Sequence, residues 1–336
     1  MIDRINSIKK ESYLKVLHEL CFDCELSVSE LSEKCSISTF TLAKILDWLS
    51  EKRIVSVTYS NAEKGERRHR LYYIRTSYNS VAADISSSVF KFYVCKPGRS
   101  PRRLLSCPYR TELSFEQNID YFKKNIGYVS TTISKNKNAG TLILLPGTPD
   151  KEHKYITDPI YPDTKDIKLT HIINELTFSQ NACYDESCHF RAKAIQSLGI
   201  SSNELALIIF LDNKRFSSCI VSGDTEHIKI GKLGEKRDEF GNTFLSEIKY
   251  LQDPGKITSI FAKEIIDLYS AIGFSHVYIT GDYIPHLNIL SEMILAEVNQ
   301  SIPDIQTIKP LTSEKMLEIK LKTLIYEHLA DIILDK

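Results

Sequence analysis

The sequence carries no excess of charge of either sign and no long apolar run. Lysine plus arginine and aspartate plus glutamate each number 43 in 336 residues, so the formal net charge is zero. A protein-wide basic field of the histone type is therefore excluded. The longest apolar run, Leu205–Leu211, is far shorter than the roughly 18–20 residues that span a bilayer. Because the charged start also lacks the apolar region of a secretory signal, we expect a cytoplasmic protein without a membrane anchor.

Cysteine is scarce as well, and its spacing does not complete a metal site. The chain has eight cysteines, which a reducing compartment would keep as thiols, so disulfides are not expected. Cys21 and Cys24 have the spacing of half a zinc site, but no second pair follows to supply the remaining ligands. We therefore expect no structural metal. The apolar fraction is 42%, or about 46% when the 13 glycines are included, which is close to the value of an ordinary globular protein. The length indicates at least two folding units.

Three amphipathic segments with clear start signals lie near the amino terminus. Residues 8–21 place their apolar side chains mainly on one stripe, which predicts a first helix. Ser27 and Glu30 have the spacing of a capping box, which predicts a second helix from Val28. Ser38 is the expected cap of a third helix. The apolar positions predicted to face the core from this third helix are Phe40, Leu42, Ile45, Leu46 and Leu49.

Two strands joined by a basic connection follow the third helix. The segments IVSVTYS and RLYYIR flank NAEKGERRH, and this order predicts a winged helix-turn-helix. The start of the third helix would enter the major groove, and the connection would contact phosphate or the minor groove. The residues predicted to contact DNA are Ser38, Thr39, Thr41, Lys44, Arg67, Arg68 and Arg70. A solvated hairpin beside a dimerisation module is the open alternative.

From about Asn79 onward, strands alternate with longer helices, which predicts an α/β domain. The arrangement fits a two-lobed RNase H-like architecture of the actin and sugar-kinase type, although periodicity alone does not select it. The predicted boundaries are residues 1–78 for the winged helix, 79–176 with 313–336 for lobe I, and 177–312 for lobe II. The last helix, residues 313–334, would pack either across lobe I or across a dimer axis.

Five segments then resemble motifs of the ROK family of repressors and sugar kinases. VAADISSSVF stands where the family has Asp-Ile-Gly-Gly-Thr, so that Asp84 matches. ILLPGTPD is similar to the family's Val-Pro-Gly loop, NACYDESCHF aligns Asp185 with the catalytic base, and the segment ending GKLGEKRDE matches at Glu235. VYITGD resembles the late strand near the adenosine pocket. The resemblance covers nearly the whole chain.

The resemblance implies a DNA-binding transcriptional regulator with a ROK-like sensor domain. Its partners would be a double-stranded DNA operator, a sugar or sugar phosphate effector bound between the lobes, and a second copy of the chain in a homodimer. Asp84, Asp185 and Glu235 are the implied ligand-binding residues. The alternative for Asp185 is a helix cap, and the alternative for Glu235 is an exposed carboxylate.

Departures from the family pattern predict that kinase activity is lost. Serines 86–88 replace Gly-Gly-Thr in the first phosphate hairpin, and LDNKRFSSCI has no glycine where the family has its second phosphate loop. The family's cysteine-rich zinc motif is also missing. No cofactor, no metal and no catalytic residue is therefore expected, with Asp185 as the residual match. An active sugar kinase with a DNA-binding head and a ligand-free dimerisation module are the alternatives.

Overall fold

The described part of the chain forms two compact units, and each is considered by itself. The computed structural model describes residues 2–60, 68–129, 137–157, 161–179, 182–185, 195, 204–211, 216–222, 228–230, 253–280, 287–303, 305 and 307–334. One unit consists of Met1–Glu186 with Glu318–Lys336, and the other consists of Ser187–Leu317. No helix within the described ranges combines the length and the apolar character needed to cross a membrane.

The first unit begins with three helices and a small antiparallel sheet, which we term the head (residues 2–74). Its elements are α1 (Ile2–Phe22), β1 (Leu26–Ser27), α2 (Val28–Cys35), α3 (Thr39–Glu51), β2 (Val55–Tyr59) and β3 (Arg70–Ile74). Strand β3 lies between β1 and β2 and pairs antiparallel with both. The sequence indicated the three helices and the strand pair. Strand β1 was not predicted, because two residues are too few to show an alternation.

The starts of α2 and α3 follow from local hydrogen bonding. The Glu30 N–H donates to Ser27 Oγ at 3.3 Å, and the Ser27 N–H donates to the Glu30 carboxylate at 2.7 Å. These two bonds form the predicted capping box, and the hydrogen bonds from Ser27 lower the pKa of Glu30. Helix α2 ends at Ser36, whose φ of 55° turns the chain sharply into α3.

The remainder of the first unit is a five-stranded mixed sheet with two helices. Its elements are β4 (Tyr78–Asp84), β5 (Val89–Cys95), β6 (Arg102–Pro108), α4 (Phe115–Val129), β7 (Lys137–Leu144), the hairpin strands β8 (Thr148–Pro149) and β9 (Ile156–Thr157), α5 (Leu169–Leu176) and β10 (Ala182–Asp185). The strand order in the sheet is β10-β7-β4-β5-β6. Strands β4, β5 and β6 are antiparallel neighbours, whereas β7 and β10 run parallel to β4.

An aromatic cluster fills the space between this sheet and its helices. Phe90 of β5 packs edge-on against Phe115 and Phe122 of α4, with ring centroids 6.1 and 5.5 Å apart. All three side chains are buried. This cluster fixes α4 against β5.

The second unit repeats the sheet topology of the first. Its elements are β11 (Leu205–Leu211), β12 (Phe216–Ser222), β13 (Ile228–Ile230), α6 (Pro254–Ile272), β14 (His276–Thr280), α7 (Leu287–Val298), β15 (Thr307–Leu311) and the start of α8 (Ser313–Leu334). The strand order is β13-β12-β11-β14-β15, with three antiparallel strands in chain order and two parallel strands added beside the first. The predicted α/β class is thus confirmed.

The core of the head is closed by the last helix of the chain. Ile325, Leu329 and Ala330 of α8 are buried in one cluster with side chains of the head. The head members of this cluster include Val16, Leu17, Leu20, Leu31, Leu42, Ile45, Leu46 and Leu49. Of the two placements left open by the sequence, the residues of α8 from 318 onward therefore pack within the first unit. The head does not complete its own core.

A buried ion pair joins α8 to the end of α1. The Lys322 ammonium donates to Glu318 Oε1 at 2.7 Å and to the carbonyl oxygen of Phe22 at 2.8 Å. Ser100 Oγ donates to the other carboxylate oxygen of Glu318 at 3.0 Å. Lys322 thus places a positive charge at the carboxyl end of α1, where helix carbonyls have no partner within the helix.

Replacing Gly98 by alanine is expected to lower the free energy of unfolding by about 2–4 kcal/mol. Gly98 has a φ of 64°, and a Cβ atom there would lie 2.3 Å from the carbonyl oxygen of Asp23. Its N–H donates to the carbonyl oxygen of Cys21 at 2.9 Å, so the loop cannot move away without losing this bond. Unfolding in urea measures the change.

Gly127→Ala is the matched control. Gly127 lies in α4, and nothing lies within 4 Å of the Cβ it would gain. We expect this variant to be more stable than the parent by about 0.5–1 kcal/mol, because alanine is the better helix former. Similar losses in both variants would contradict the close packing of Gly98 against Asp23 and Cys24.

Candidate functional site

The first turn of α3 is exposed to solvent. Leu42, Ile45, Leu46 and Leu49 are buried, as the sequence predicted. The exposed positions on the other side include four predicted DNA-contacting residues, Ser38, Thr39, Thr41 and Lys44. The structure therefore brings these four residues together on one helix end.

Phe40 does not belong to the core, so this part of the prediction was wrong. Its side chain is 70% exposed, and the Lys44 ammonium lies 4.3 Å from the ring centroid. At about 100° per residue, position 40 is on the opposite side of the helix from position 42. Burial of Phe40 was predicted from its apolar character alone. The angle between positions 40 and 42 on the helix is the sequence signal that could have shown that Phe40 is exposed.

Ser38 and Thr41 have a structural role at this helix end. The Thr41 N–H donates to Ser38 Oγ at 3.3 Å, and the two hydroxyl oxygens are 3.0 Å apart. This is the N-cap that the sequence predicted for Ser38. Thr39, in contrast, is exposed and takes no part in the cap.

The basic strand connection is described from Arg68 onward. Arg68, His69 and Arg70 are exposed, and backbone and side-chain bonds between Ser60 and His69 close the base of the hairpin. The Tyr59 phenol, followed by that of Tyr72, raises the pKa of Arg70, so its guanidinium remains charged. The predicted contact residue Arg67 lies outside the described residues.

Two of the predicted ligand-binding residues, Asp84 and Asp185, end their strands at the same edge of the first unit's sheet. Asp84 is the last residue of β4, Asp185 is the last residue of β10, and both pair in register with Leu144 of β7. Because neighbouring strands are about 4.8 Å apart, the two backbones are separated by about 10 Å. The Asp185 side chain and the whole of Glu235 lie outside the described part, so their roles stay predictions.

Serines 86–88 form a turn that is stabilised by hydrogen bonds to other residues of the first unit. Asp84 Oδ1 accepts hydrogen bonds from the Ser86 N–H at 3.0 Å and from Ser86 Oγ at 2.6 Å. Among described non-glycine residues, positive φ occurs at Ser36, Arg53 and His153, so the serine turn has negative φ throughout. The serine turn therefore does not use the positive φ values that glycine would permit.

Two stacked tyrosines support the far side of this turn. The Tyr161 hydroxyl donates to the Ser87 carbonyl oxygen, and the Tyr109 N–H donates to the Ser88 carbonyl oxygen at 2.9 Å. The two rings stack with centroids 4.0 Å apart. Burial, and secondly the nearby Asp163, raises the pKa of Tyr109, which keeps its hydroxyl neutral.

The loop after β7 contributes a histidine that contacts the neighbour of Asp185. Pro146 and Gly147 are buried, as suits a fixed strand end. Beyond them, His153 Nδ1 lies 3.1 Å from the hydroxyl of Tyr184, the neighbour of Asp185. Sequence reasoning missed His153, because its partner is far away along the chain and no local motif marks it. Within the described ranges, no group of three or more His, Cys, Asp or Glu side chains could hold a metal ion.

Comparisons with known proteins identify the fold. No protein-family model and no curated protein matches the sequence. Among solved structures, the chain is similar to a ROK family transcriptional regulator, a homolog of the E. coli MLC protein, with 13% identity over 96% of this chain and 98% of that chain and a TM-score of 0.59.

Two further structures have the same fold without covering as much of the chain. ROK hexokinase from Thermus thermophilus has 14% identity over 75% of this chain and 99% of that chain, with a TM-score of 0.52. A ROK family protein from Streptococcus pneumoniae in complex with sucrose has 11% identity over 76% and 99%, with a TM-score of 0.51. The predicted resemblance to ROK proteins is thus confirmed at the level of the fold.

The Ser38→Ala variant is expected to lose about 1 kcal/mol of folding free energy, because the Thr41 N–H loses its capping acceptor. Thr39→Ala, at the neighbouring exposed position, should change stability by less than about 0.5 kcal/mol. Urea unfolding of both variants measures the difference. Equal stabilities would contradict the capping role and leave Ser38 as a surface hydroxyl.

Proposed function

We propose that this protein is a DNA-binding transcriptional regulator whose α/β units sense a sugar or a sugar phosphate without phosphorylating it. The observation that carries the proposal is the head together with its exposed α3 end. The regulator structure covers 96% of this chain, whereas the hexokinase covers 75%. This difference supports a head that belongs to the regulators of this fold and not to the kinases.

The head is interpreted as a winged helix-turn-helix. Helices α2 and α3, joined by the sharp turn at Ser36, supply the helix pair, and β2 with β3 supplies the wing. Thr39 and Lys44 would contact base edges and phosphates from the major groove. Arg68 and Arg70, with Arg67, would contact phosphate or the minor groove from the wing. Their exposure agrees with this role.

Binding as a homodimer follows from the proposed mode of DNA recognition. A single helix-turn-helix reads a short half-site, and two-fold related heads read half-sites that are about one helical turn apart. The operator would accordingly be close to palindromic. The cytoplasm is the compartment in which such a regulator would meet its DNA.

The effector is proposed to bind at the sheet edge that carries Asp84 and Asp185. Carboxylates accept hydrogen bonds from sugar hydroxyls, and the ends of β4 and β10, about 10 Å apart on either side of Leu144, would both be reached by a ring lying over the end of β7. The S. pneumoniae structure of this fold contains sucrose, which agrees with a sugar as the ligand class. Glu235 is proposed as a third contact.

The absence of catalysis is proposed from the serine turn. Phosphoryl transfer relies on donors that stabilise the phosphates. The Ser86 N–H is engaged by Asp84, and Ser86 and Ser87 place Cβ atoms where the family hairpin has two glycines. Asp185 alone would not stabilise a transferring phosphoryl group.

An effector changes DNA affinity only if it binds the two states of the protein with different affinity. Helix α8 offers a route for this coupling, since it begins in the second unit and its later residues close the core of the head. A small displacement of α8 would disturb the packing under α3. Ligand binding and DNA binding would therefore influence one another through one helix.

Replacing Arg67, Arg68 and Arg70 together by alanine is expected to weaken binding to all DNA sequences. The slope of log affinity against log salt concentration should fall by about 0.9 for each lost phosphate contact, because fewer counterions are released. Fluorescence anisotropy over a range of salt concentrations measures both quantities. Arg102→Ala with Arg103→Ala removes two exposed arginines of β6 and is the matched control. An unchanged slope in the wing variant would refute the wing assignment.

Asp185→Asn is expected to weaken sugar binding by about 10- to 100-fold, the value for losing one or two charge-assisted hydrogen bonds, while DNA binding without sugar is unchanged. Thermal unfolding with a panel of hexoses and amino sugars, with and without ATP and Mg²⁺, measures the affinity. Asp120→Asn, an exposed carboxylate of α4, is the control.

The same panel separates the alternatives. We expect stabilisation by a sugar, no further stabilisation by ATP and no sugar phosphate product. Turnover that disappears in Asp185→Asn would identify an active kinase with a DNA-binding head. Response to neither ligand would instead indicate a dimerisation module.

A further inference from the structure

Phe40 is a large apolar side chain that is exposed, so packing in the core does not explain its presence. It occupies the second position of α3 and is 70% exposed. Single exposed apolar residues are common on protein surfaces, so exposure alone indicates nothing. What distinguishes Phe40 is its position among exposed hydroxyl and lysine side chains at the end of the helix that the proposed function directs into the major groove.

Lys44 gives the ring a defined partner. Residues 40 and 44 are neighbours on the helix surface, and the ammonium lies 4.3 Å from the ring centroid. The contact holds a positive charge beside an apolar ring. A surface that combines one aromatic ring with one cation suits a partner that offers an apolar group next to negative charge.

Double-stranded DNA offers this combination in its major groove. The C5-methyl group of thymine is the apolar group on the base edges there, and phenylalanine is one of the side chains that contact it. The phosphates lie at the rim of the same groove. In an α-helix the Cα–Cβ bonds tilt toward the amino terminus, so a side chain of the first turn extends toward the surface that the helix end meets.

We propose that Phe40 reads a thymine methyl group in each half-site of the operator, and that Lys44 holds its charge next to the ring to contact a phosphate. This inference rests on the proposed function. The predicted contacts of Thr39, Thr41 and Lys44 are made by hydroxyl and ammonium groups. Phe40 would add an apolar contact, which these polar groups do not provide. Phe40 would therefore determine specificity, whereas the wing arginines determine affinity.

Deoxyuridine provides a direct test, because it differs from thymidine in this base only by the missing C5-methyl group. The full-length protein is first used to select bound duplexes from a randomised DNA library. Each thymidine of the selected operator is then replaced by deoxyuridine, and affinity is measured at fixed salt. We expect one position per half-site at which the replacement weakens binding by about fourfold, the value for burial of one methyl group.

Phe40→Ala should bind thymidine and deoxyuridine operators equally well. Phe40→Leu, which keeps an apolar group, should retain part of the discrimination. Tyr128→Ala removes an equally exposed aromatic ring, 71% exposed, from α4 and should discriminate like the parent. Lys44→Ala should reduce the salt slope while the operator keeps its sensitive position.

The outcomes separate the inference from the proposed function. If the parent protein selects no sequence from the library, the proposed DNA-binding function is wrong. If it selects an operator that is insensitive to deoxyuridine at every position, the proposed function stands and the assignment of Phe40 is overturned. Insertion of Phe40 between base steps would produce that result, because binding would not depend on the methyl group. The assignment of Phe40 is also overturned if Phe40→Ala distinguishes thymidine from deoxyuridine as well as the parent does.

Discussion

The buried pair of Glu318 and Lys322 is the interaction on which the arrangement of the first unit depends. Neither charge is stable out of water alone, and each is satisfied by a group from another part of the chain, Ser100 for the carboxylate and the Phe22 carbonyl for the ammonium. Cys95 is fully buried near the pair, and burial raises the pKa of its thiol to about 12. Removing one charge leaves the other unpaired, so α8, α1 and the loop after β5 keep one relative position.

Sheet topology explains why Asp84 and Asp185, which are distant in sequence, end their strands at the same edge of the first unit's sheet. Both units place a first strand beside two parallel strands, and parallel strands end at the same edge. Asp84 and Asp185 are therefore brought into register on either side of Leu144, although about one hundred residues separate them in the sequence. In the serine turn, the Ser86 N–H donates to the Asp84 carboxylate, and this bond stabilises the turn.

Much of this fold could be predicted from the sequence, and the exceptions have physical causes. The cap at Ser38, the capping box at Ser27 and the bounds of α8 follow from local hydrogen bonding and apolar content, which the sequence contains. Strands β6, β10 and β15 are not evident from the sequence pattern, because β6 contains two arginines, β15 contains a proline and β10 is short, so that only sheet pairing stabilises them. Phe40 was misplaced because burial depends on helical angle as well as hydrophobicity. The pairing of His153 with Tyr184 depends on tertiary structure alone.

The shared core of the head and α8 restricts how the head can be exchanged or altered during evolution. A head transferred to another protein by recombination at residue 78 would leave behind Ile325, Leu329 and Ala330. It would then expose the apolar side chains that these residues cover. An exchange of heads must therefore include the segment Glu318–Lys336 as well as the head, or be followed by changes in that segment. Stepwise substitution on the exposed side of α3, which leaves the core untouched, is the easier path.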